Sequence, residues 1–143
     1  MRMPLVVIAL GIAGLLPMFA GPVWWALSAQ TAPAWLPHVW LMYAALVASF
    51  MSGTFWGFAL PAIEGLEGQI GVFIASLLML AIWFVMALSY EASLYGLIVV
   101  YLLQLLADFW RERTLGSVIG YFALRTGLTV GAIVAIAWRL EQL

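Results

Sequence analysis

The sequence of 143 residues has no cysteine and no lysine, and only 8% of its residues are charged. Without cysteine, disulfides, thiolate metal sites and a cysteine nucleophile are excluded. A net charge of −1 with five arginines excludes the basic surface of a nucleic-acid-binding protein. What remains is apolar, since 67% of the residues are hydrophobic and the mean hydropathy is +1.16. A soluble domain of this size could not bury so much apolar surface, so the composition predicts a membrane protein.

Five apolar runs are separated by charges and by proline or glycine, which indicate loops. About 20 residues cross the hydrocarbon core, and backbone groups in lipid must pair within the chain, so each run is predicted to be a helix. The predicted spans cover about residues 4–26, 39–60, 70–88, 93–109 and 117–139. The predicted fold is an all-α membrane protein, a compact bundle of five transmembrane helices that forms one domain over residues 1–143. The pattern leaves open whether residues 113–125 form an interfacial helix or belong to the fifth span.

The arginines predict how the bundle is oriented. Arg2, Arg111, Arg113 and Arg125 fall on one side of five alternating spans, and Arg139 falls on the other. Because cytoplasmic loops are enriched in Lys and Arg, the N-terminus is predicted to be cytoplasmic and the C-terminus outside. The first run is longer than the apolar core of a signal peptide, so we expect a retained span. The lack of an Arg- and Ser-rich presequence favours a bacterial cytoplasmic membrane over the mitochondrial inner membrane.

Two stripes of small residues mark candidate helix contacts. The second span carries Ser49, Gly53 and Gly57, and the fifth span carries Gly127, Gly131 and Ala135. In lipid the hydrophobic effect does not bring helices together, so small residues that let backbones approach closely mark packing faces. We expect both stripes to pack within the chain, and a homodimer face is the alternative.

The fourth span carries three polar residues on one helical face, Tyr101, Gln104 and Asp108, at spacings i, i+3 and i+7. Arg125 lies roughly 20 Å along the fifth span from its outer end, and its side chain leans toward the cytoplasmic side. These positions predict an ion pair between Asp108 and Arg125 that joins the last two helices. The alternatives are a polar pathway along this face, or a proton or anion site at the charged pair.

Catalytic and metal-binding patterns are missing from the sequence. It has one histidine, His38, whose only plausible partner on the same side is Glu91, and this is too weak a set to indicate a metal site. No serine–histidine–acid set, phosphate-binding glycine loop or buried pair of carboxylates is present. We therefore expect no catalytic residues, no metal and no cofactor.

Several ordered motifs resemble a known family. They are Leu10–Phe19, Tyr43, Ser49–Gly57, Trp83, Asp108 and Leu124–Thr129. Together they resemble the domain-of-unknown-function family that includes the mitochondrial transmembrane protein 69, over nearly the whole chain. That family has two adjacent glycines and a histidine before the tryptophan of the second span, whereas Ser52 and Phe55 stand at the positions of the first glycine and the histidine here. The resemblance implies a polytopic inner-membrane protein without an established activity.

The functional hypothesis that follows is a non-enzymatic accessory, assembly or interaction subunit of a larger membrane complex. Its partners are the lipid bilayer and either other membrane proteins or further copies of the same chain, but not nucleic acid. The alternative is a small oligomeric transporter or channel that uses the Tyr101, Gln104 and Asp108 face together with Arg125. An intramembrane enzyme has the least support, because no nucleophile–base pair is visible.

Overall fold

The computed structural model describes residues 3–115 and 119–143, and these residues form six α-helices. The helices are α1 (Leu5–Ala13), α2 (Leu15–Ser28), α3 (Leu36–Ala59), α4 (Leu66–Met86), α5 (Tyr90–Thr114) and α6 (Tyr121–Glu141). Because α1 and α2 form one apolar segment, the described chain has five segments long and apolar enough to cross a membrane. They are Leu5–Thr31, Leu36–Ala62, Leu66–Met86, Tyr90–Thr114 and Tyr121–Glu141. The prediction of an all-α chain with five potential membrane spans is confirmed.

Several helices are longer than the apolar spans predicted from the sequence. The difference is clearest at the end of α5. This helix runs through Arg111 and Arg113 to Thr114, because arginine and glutamate are good helix formers and a helix does not stop where the sequence becomes polar. After residues 116–118, which lie outside the described residues, Gly120 has φ +84° and precedes α6. Residues 113–125 are therefore not one interfacial helix: their first residues belong to α5 and their last to α6.

The first membrane segment is interrupted at Gly14, between α1 and α2. Pro17 has no N–H for the carbonyl four residues earlier, and its ring crowds that carbonyl. The two parts pack differently. The second part, α2, has buried residues that include Met18 and Pro22, whereas α1 has none. Helix α1 touches α6 near Gly11. Because it has no buried residue, this half of the segment lies at the edge of the bundle.

A second proline explains how α2 is joined to α3. Pro22 cannot donate to the carbonyl of Met18, which leaves a buried acceptor inside the bilayer region. The indole Nε1 of Trp40, on α3, donates to that carbonyl at 2.9 Å. Gly21 allows the close approach, because a Cβ there would lie 2.5 Å from Cδ1 of Trp40. A proline that breaks a helix bond thus creates the attachment point of the neighbouring helix.

Helices α3 and α5 occupy the centre of the bundle. Helix α3 contacts α2, α4 and α5, while α5 contacts α3, α4 and α6, and the contact between α2 and α6 closes the ring. The inward face of α3 is built largely from small residues. They are Ala44, Ala45, Ala48, Ser52 and Ala59. Small side chains at these positions let the α5 side chains approach the α3 backbone closely.

The predicted small-residue stripe on α3 lies mostly outside the intrachain packing that was expected of it. Gly53 and Gly57 lie on the outer surface of α3, where a Cβ would meet no atom of the described residues within 4 Å, and Ser49 is half-buried. The α3 contact with α4 uses the neighbouring face instead, where the Ser52 hydroxyl donates to the carbonyl of Ala75 at 3.3 Å. The four-residue spacing places these residues along one side of α3, but in lipid small residues are compatible with either side of a helix.

The stripe on α6 is divided between the inside and the outside of the bundle. A Cβ on Gly131 would lie 2.8 Å from Cδ1 of Leu15, so this glycine makes the close contact with α2. Ala135 is fully buried. Gly127 is exposed and faces open space within the described chain. Two of the three positions therefore serve intrachain packing.

The Trp40 bond gives a first testable prediction. Replacing Trp40 by Phe keeps an aromatic ring but leaves the Met18 carbonyl without its indole donor, which should lower the free energy of unfolding by about 1–3 kcal/mol. In a Pro22→Ala background the backbone N–H of residue 22 can donate to the Met18 carbonyl. The same Trp40→Phe change should therefore lower the free energy of unfolding by clearly less. Equilibrium unfolding by dodecyl sulfate in mixed micelles measures both values. Equal costs in the two backgrounds would contradict the assigned role of Pro22.

Candidate functional site

The structure brings Asp108 and Arg125 together at one end of the bundle. Nε of Arg125 lies 2.9 Å from both carboxylate oxygens of Asp108. Asp108 lies in the last two turns of α5, and Arg125 lies one turn into α6, so the antiparallel connection places them side by side. Their side chains are 0% and 4% exposed, respectively. At this depth an ion pair needs further hydrogen bonds to offset the loss of water.

The remaining nitrogens of Arg125 supply those bonds. Nη2 donates to the Met51 carbonyl at 3.0 Å, and Nη1 donates to the Thr54 hydroxyl oxygen and to the Tyr121 hydroxyl oxygen, the latter at 3.3 Å. The Thr54 hydroxyl in turn donates to Met51 O at 2.7 Å. Met51 and Thr54 belong to α3, so one guanidinium group joins α3, α5 and α6. The sequence predicted the contact with Asp108, but not the attachment to α3.

A second buried arginine, Arg111, lies beside this pair. Its side chain is fully buried, with Nε 3.6 Å from Oδ1 of Asp108 and Nη2 3.9 Å from the Glu112 carboxylate. Its guanidinium also lies over the Phe58 ring, 4.6 Å from the centroid, where a cation is attracted to the ring face. Asp108, Arg111 and Arg125 together are called the charged cluster below.

Sequence reasoning assigned Arg111 to the polar exit of the fourth span and missed its place in the site. The signal was present, because Arg111 follows Asp108 by three residues and side chains at that spacing share one face of a helix. Two aromatic side chains border it, since the Phe58 and Tyr121 rings pack with their centroids 5.1 Å apart and the Arg111 guanidinium lies 5.5 Å from the Tyr121 ring.

The other two polar residues of the predicted α5 face are bonded to α3 rather than to the charged cluster. The Tyr101 hydroxyl donates to the Ala44 carbonyl at 2.7 Å, and Nε2 of Gln104 donates to the Ala48 carbonyl at 2.7 Å. Both side chains are almost completely buried. The predicted face of α5 is therefore present, with Tyr101, Gln104 and Asp108 on the same side of the helix. Each side chain bonds to a neighbouring helix, at a different position along the bundle.

The opposite end of the bundle has an arginine contact of its own. Nε of Arg139 donates to the Tyr90 hydroxyl at 3.0 Å, and its guanidinium carbon lies 3.7 Å from the Trp25 ring centroid. Nε2 of Gln142 donates to the Pro22 carbonyl at 2.7 Å. Arg139 marked only the outer boundary of a span in the sequence. In the structure it connects α6 to α2 and α5, because its long side chain turns back over the aromatic rings.

A lateral groove of about 640 Å³ opens between α1, α3 and α6. Apolar side chains such as Leu10, Phe50 and Leu128 form most of its wall. Three members of the Arg125 network, namely Arg125, Thr54 and Tyr121, also line it. Helix α1 contacts α6 and forms one wall of the groove but has no buried residue, whereas α2 packs into the bundle.

The sequence offered His38 and Glu91 as the only conceivable metal pair. Both side chains are exposed, at the first turns of α3 and α5. Over residues 3–115 and 119–143, no group of three or more histidine and carboxylate side chains is arranged to hold a metal ion.

Loss of Arg125 should destabilise the fold strongly. Arg125→Leu leaves the buried Asp108 without its closest cation and removes the bonds to α3, so the free energy of unfolding should fall by about 3–5 kcal/mol. Arg125→Lys should rescue little, because one ammonium group cannot reach Asp108, Thr54 and Met51 together. Unfolding by dodecyl sulfate measures both effects. Arg113→Leu, at an exposed arginine of the same helix end, is the matched control and should change stability by less than about 1 kcal/mol.

Comparison with known proteins places this architecture in one family. A family described as a protein of unknown function (DUF3429) matches residues 3–141, which is almost the whole chain. No curated protein and no solved structure matches the chain. The resemblance seen in the sequence motifs to a domain family of unknown function is confirmed. The chain therefore belongs to the DUF3429 family of proteins of unknown function.

Proposed function

We propose that this protein is a non-enzymatic subunit of a larger membrane assembly, bound to another membrane protein or to a second copy through the outer face of α3. The observation that carries the proposal is the position of Gly53 and Gly57. Both lie on the outside of α3, and a Cβ on either would meet no atom of the described chain within 4 Å. Small residues in this arrangement let a second helix approach closely in lipid.

The α3 face also has the shape that such a contact needs. Phe50 and Trp56 flank the glycines and are 73% and 40% exposed. A glycine groove bordered by large side chains allows a neighbouring helix to make many van der Waals contacts, which drive helix association within a bilayer. The intrachain contacts of α3 use its other faces, so the outer face is available without rearranging the bundle.

The interior of the bundle supports a structural role for its polar groups. Tyr101 and Gln104 donate to α3 carbonyls, and the Arg125 guanidinium is bonded to Asp108, Met51, Thr54 and Tyr121. A proton or ion relay needs groups that exchange partners. Groups that are held by backbone carbonyls at 2.7 Å stabilise helix contacts instead.

The transport alternative, with a path along the face of Tyr101, Gln104 and Asp108, has less support. That face is turned toward α3 and fully enclosed rather than lining a passage. A path formed between copies would need these side chains at the outer surface of each chain.

The proposed setting is a bacterial cytoplasmic membrane, with the charged-cluster end of the bundle facing the cytoplasm. This orientation rests on four of the five arginines falling at that end in the sequence. Cysteines introduced one at a time into this cysteine-free chain, at Glu67 and at Glu141, would report the side by their reaction with an impermeant maleimide in intact cells. Labelling at residue 141 and not at residue 67 is the expected result.

The association itself is tested by photo-crosslinking in native membranes, because the chain has neither lysine nor cysteine for amine- or thiol-reactive reagents, followed by mild-detergent purification. Wild-type protein should give a crosslinked species, whose mass distinguishes a second copy from a different protein. Gly53→Leu together with Gly57→Leu should weaken the association roughly tenfold or more, since leucine side chains hold the helices apart.

Gly127→Leu is the matched control, because it makes the same change at an exposed glycine of α6 with equally open surroundings. It should leave the crosslinked species unchanged. Loss of the species with Gly127→Leu alone would move the interface to α6, and a single uncrosslinked chain in native membranes would overturn the proposal.

A further inference from the structure

The lateral groove between α1, α3 and α6 combines an apolar wall with polar groups at one end. Tyr43 and Thr54 both line it, and they are eleven residues apart on α3, which corresponds to about 16 Å along the helix. Apolar side chains occupy the length between them, including Val47 and Phe50. Arg125 and Tyr121 lie on α6 at the Thr54 end.

We propose that this groove binds a neutral amphiphile, whose carbonyl- or hydroxyl-bearing headgroup lies against Arg125 and Tyr121 and whose apolar tail lies along α3. The volume of about 640 Å³ is in the range of small-molecule sites, which span about 300–1,000 Å³. The site is reached from the side, because α1 has no buried residue and stands at the edge of the bundle. A ligand would therefore enter from the lipid.

The polar end has hydrogen bonds to offer. The Tyr121 hydroxyl oxygen accepts from Nη1 of Arg125, and a phenol that accepts one bond still has its own proton to donate. Nη2 of Arg125 carries two protons, of which the Met51 carbonyl takes one. These donors are held in place by Asp108 and by α3, so a ligand carbonyl would meet groups that are already oriented.

Charge balance points to a neutral headgroup rather than an anion. Asp108 lies 2.9 Å from Arg125, and Asp108 and Glu112 both lie within 4 Å of Arg111. Within residues 3–115 and 119–143, the two arginines are thus matched by two carboxylates. An anionic headgroup would add an uncompensated charge in a region of low dielectric, which is costly. A ketone, ester or hydroxyl group adds none.

The apolar wall fits a linear tail better than a protein segment. Gly11 and Gly14 line one side of the groove, and α3 side chains line the other. A Cβ on Gly11 would already lie 3.4 Å from Cδ1 of Leu128. Helices α1 and α6 are therefore in van der Waals contact at this height, so no second helix of about 10 Å diameter fits between them, and a tail would lie on the α3 side of this contact.

The test is photolabelling of the full chain in lipid nanodiscs. The probes are a benzoquinone and a diacylglycerol, each with a diazirine in the tail, and the unlabelled forms serve as competitors. We expect saturable labelling of peptides from α1, α3 and α6, and the more effective competitor identifies which neutral headgroup is preferred. Dodecyl phosphate is the anionic competitor and should be at least tenfold less effective than the better neutral probe.

Two variants test separately how the tail and the headgroup contribute to binding. Gly11→Leu places a side chain at a position that lines the groove and should reduce saturable labelling about tenfold, whereas Gly127→Leu, the same change on an open surface, should not. Tyr121→Phe removes only the hydroxyl and should raise the half-competing concentration roughly fivefold. Tyr95→Phe, at an exposed tyrosine of α5, is its control.

The proposal is overturned if the unlabelled competitors do not reduce the labelling and the labelled peptides come from all lipid-facing helices. It is equally overturned if dodecyl phosphate competes better than both neutral probes, or if Tyr121→Phe binds like the wild type. Because Tyr121→Phe leaves the Asp108–Arg125 pair in place, its result stands even if Gly11→Leu fails to fold.

Discussion

The guanidinium group of Arg125 is the interaction on which the arrangement of three helices depends. It bonds to Asp108 on α5 and to Met51 and Thr54 on α3, and it is itself part of α6. In lipid no water is available for a charge or a backbone carbonyl that lacks a partner. The three helices must therefore meet in the one geometry that satisfies the arginine, and this directional requirement fixes their relative heights, which non-directional apolar packing alone would leave free.

The same rule governs the rest of the interior, where side chains repeatedly donate to backbone carbonyls of a neighbouring helix. Trp40 reaches the carbonyl that Pro22 leaves open, Tyr43 donates to Gly14 O at 2.6 Å, and Tyr101 and Gln104 reach carbonyls of α3. Such bonds are worth roughly 1 kcal/mol each in membranes, but each one also specifies a register between two helices. Because α3 takes part in all four, and the Arg125 bonds also join it to α6, α3 serves as the axis against which the first, fourth and fifth spans are aligned.

The number of spans and the contact between Asp108 and Arg125 could be predicted because they depend on distances along single helices. Apolar length sets the spans, and residue spacing sets the depth of the arginine. What could not be predicted is which side of each helix faces inward, as the outward position of Gly53 and Gly57 shows. In water, burial separates the two sides by polarity, but in lipid both sides are apolar. The buried position of Arg111 could not be predicted for a related reason. A charged residue near the end of a span can be exposed to solvent, or it can be buried against aromatic side chains, and the sequence does not distinguish the two.

The buried charges and the lateral groove are two consequences of one arrangement. Holding Arg125 against Asp108 and α3 keeps its nitrogens and the Tyr121 hydroxyl fixed at the wall of the groove. Meanwhile, the break at Gly14 keeps α1 from closing over them. A charge that was free to move would collapse onto the nearest carbonyl and leave no oriented donor for a ligand. Because the Arg125 guanidinium is already paired with Asp108, it can donate hydrogen bonds to a ligand without requiring a further anion. The constraint that makes the charged cluster a structural element is thus also what makes the adjoining groove suited to a neutral headgroup.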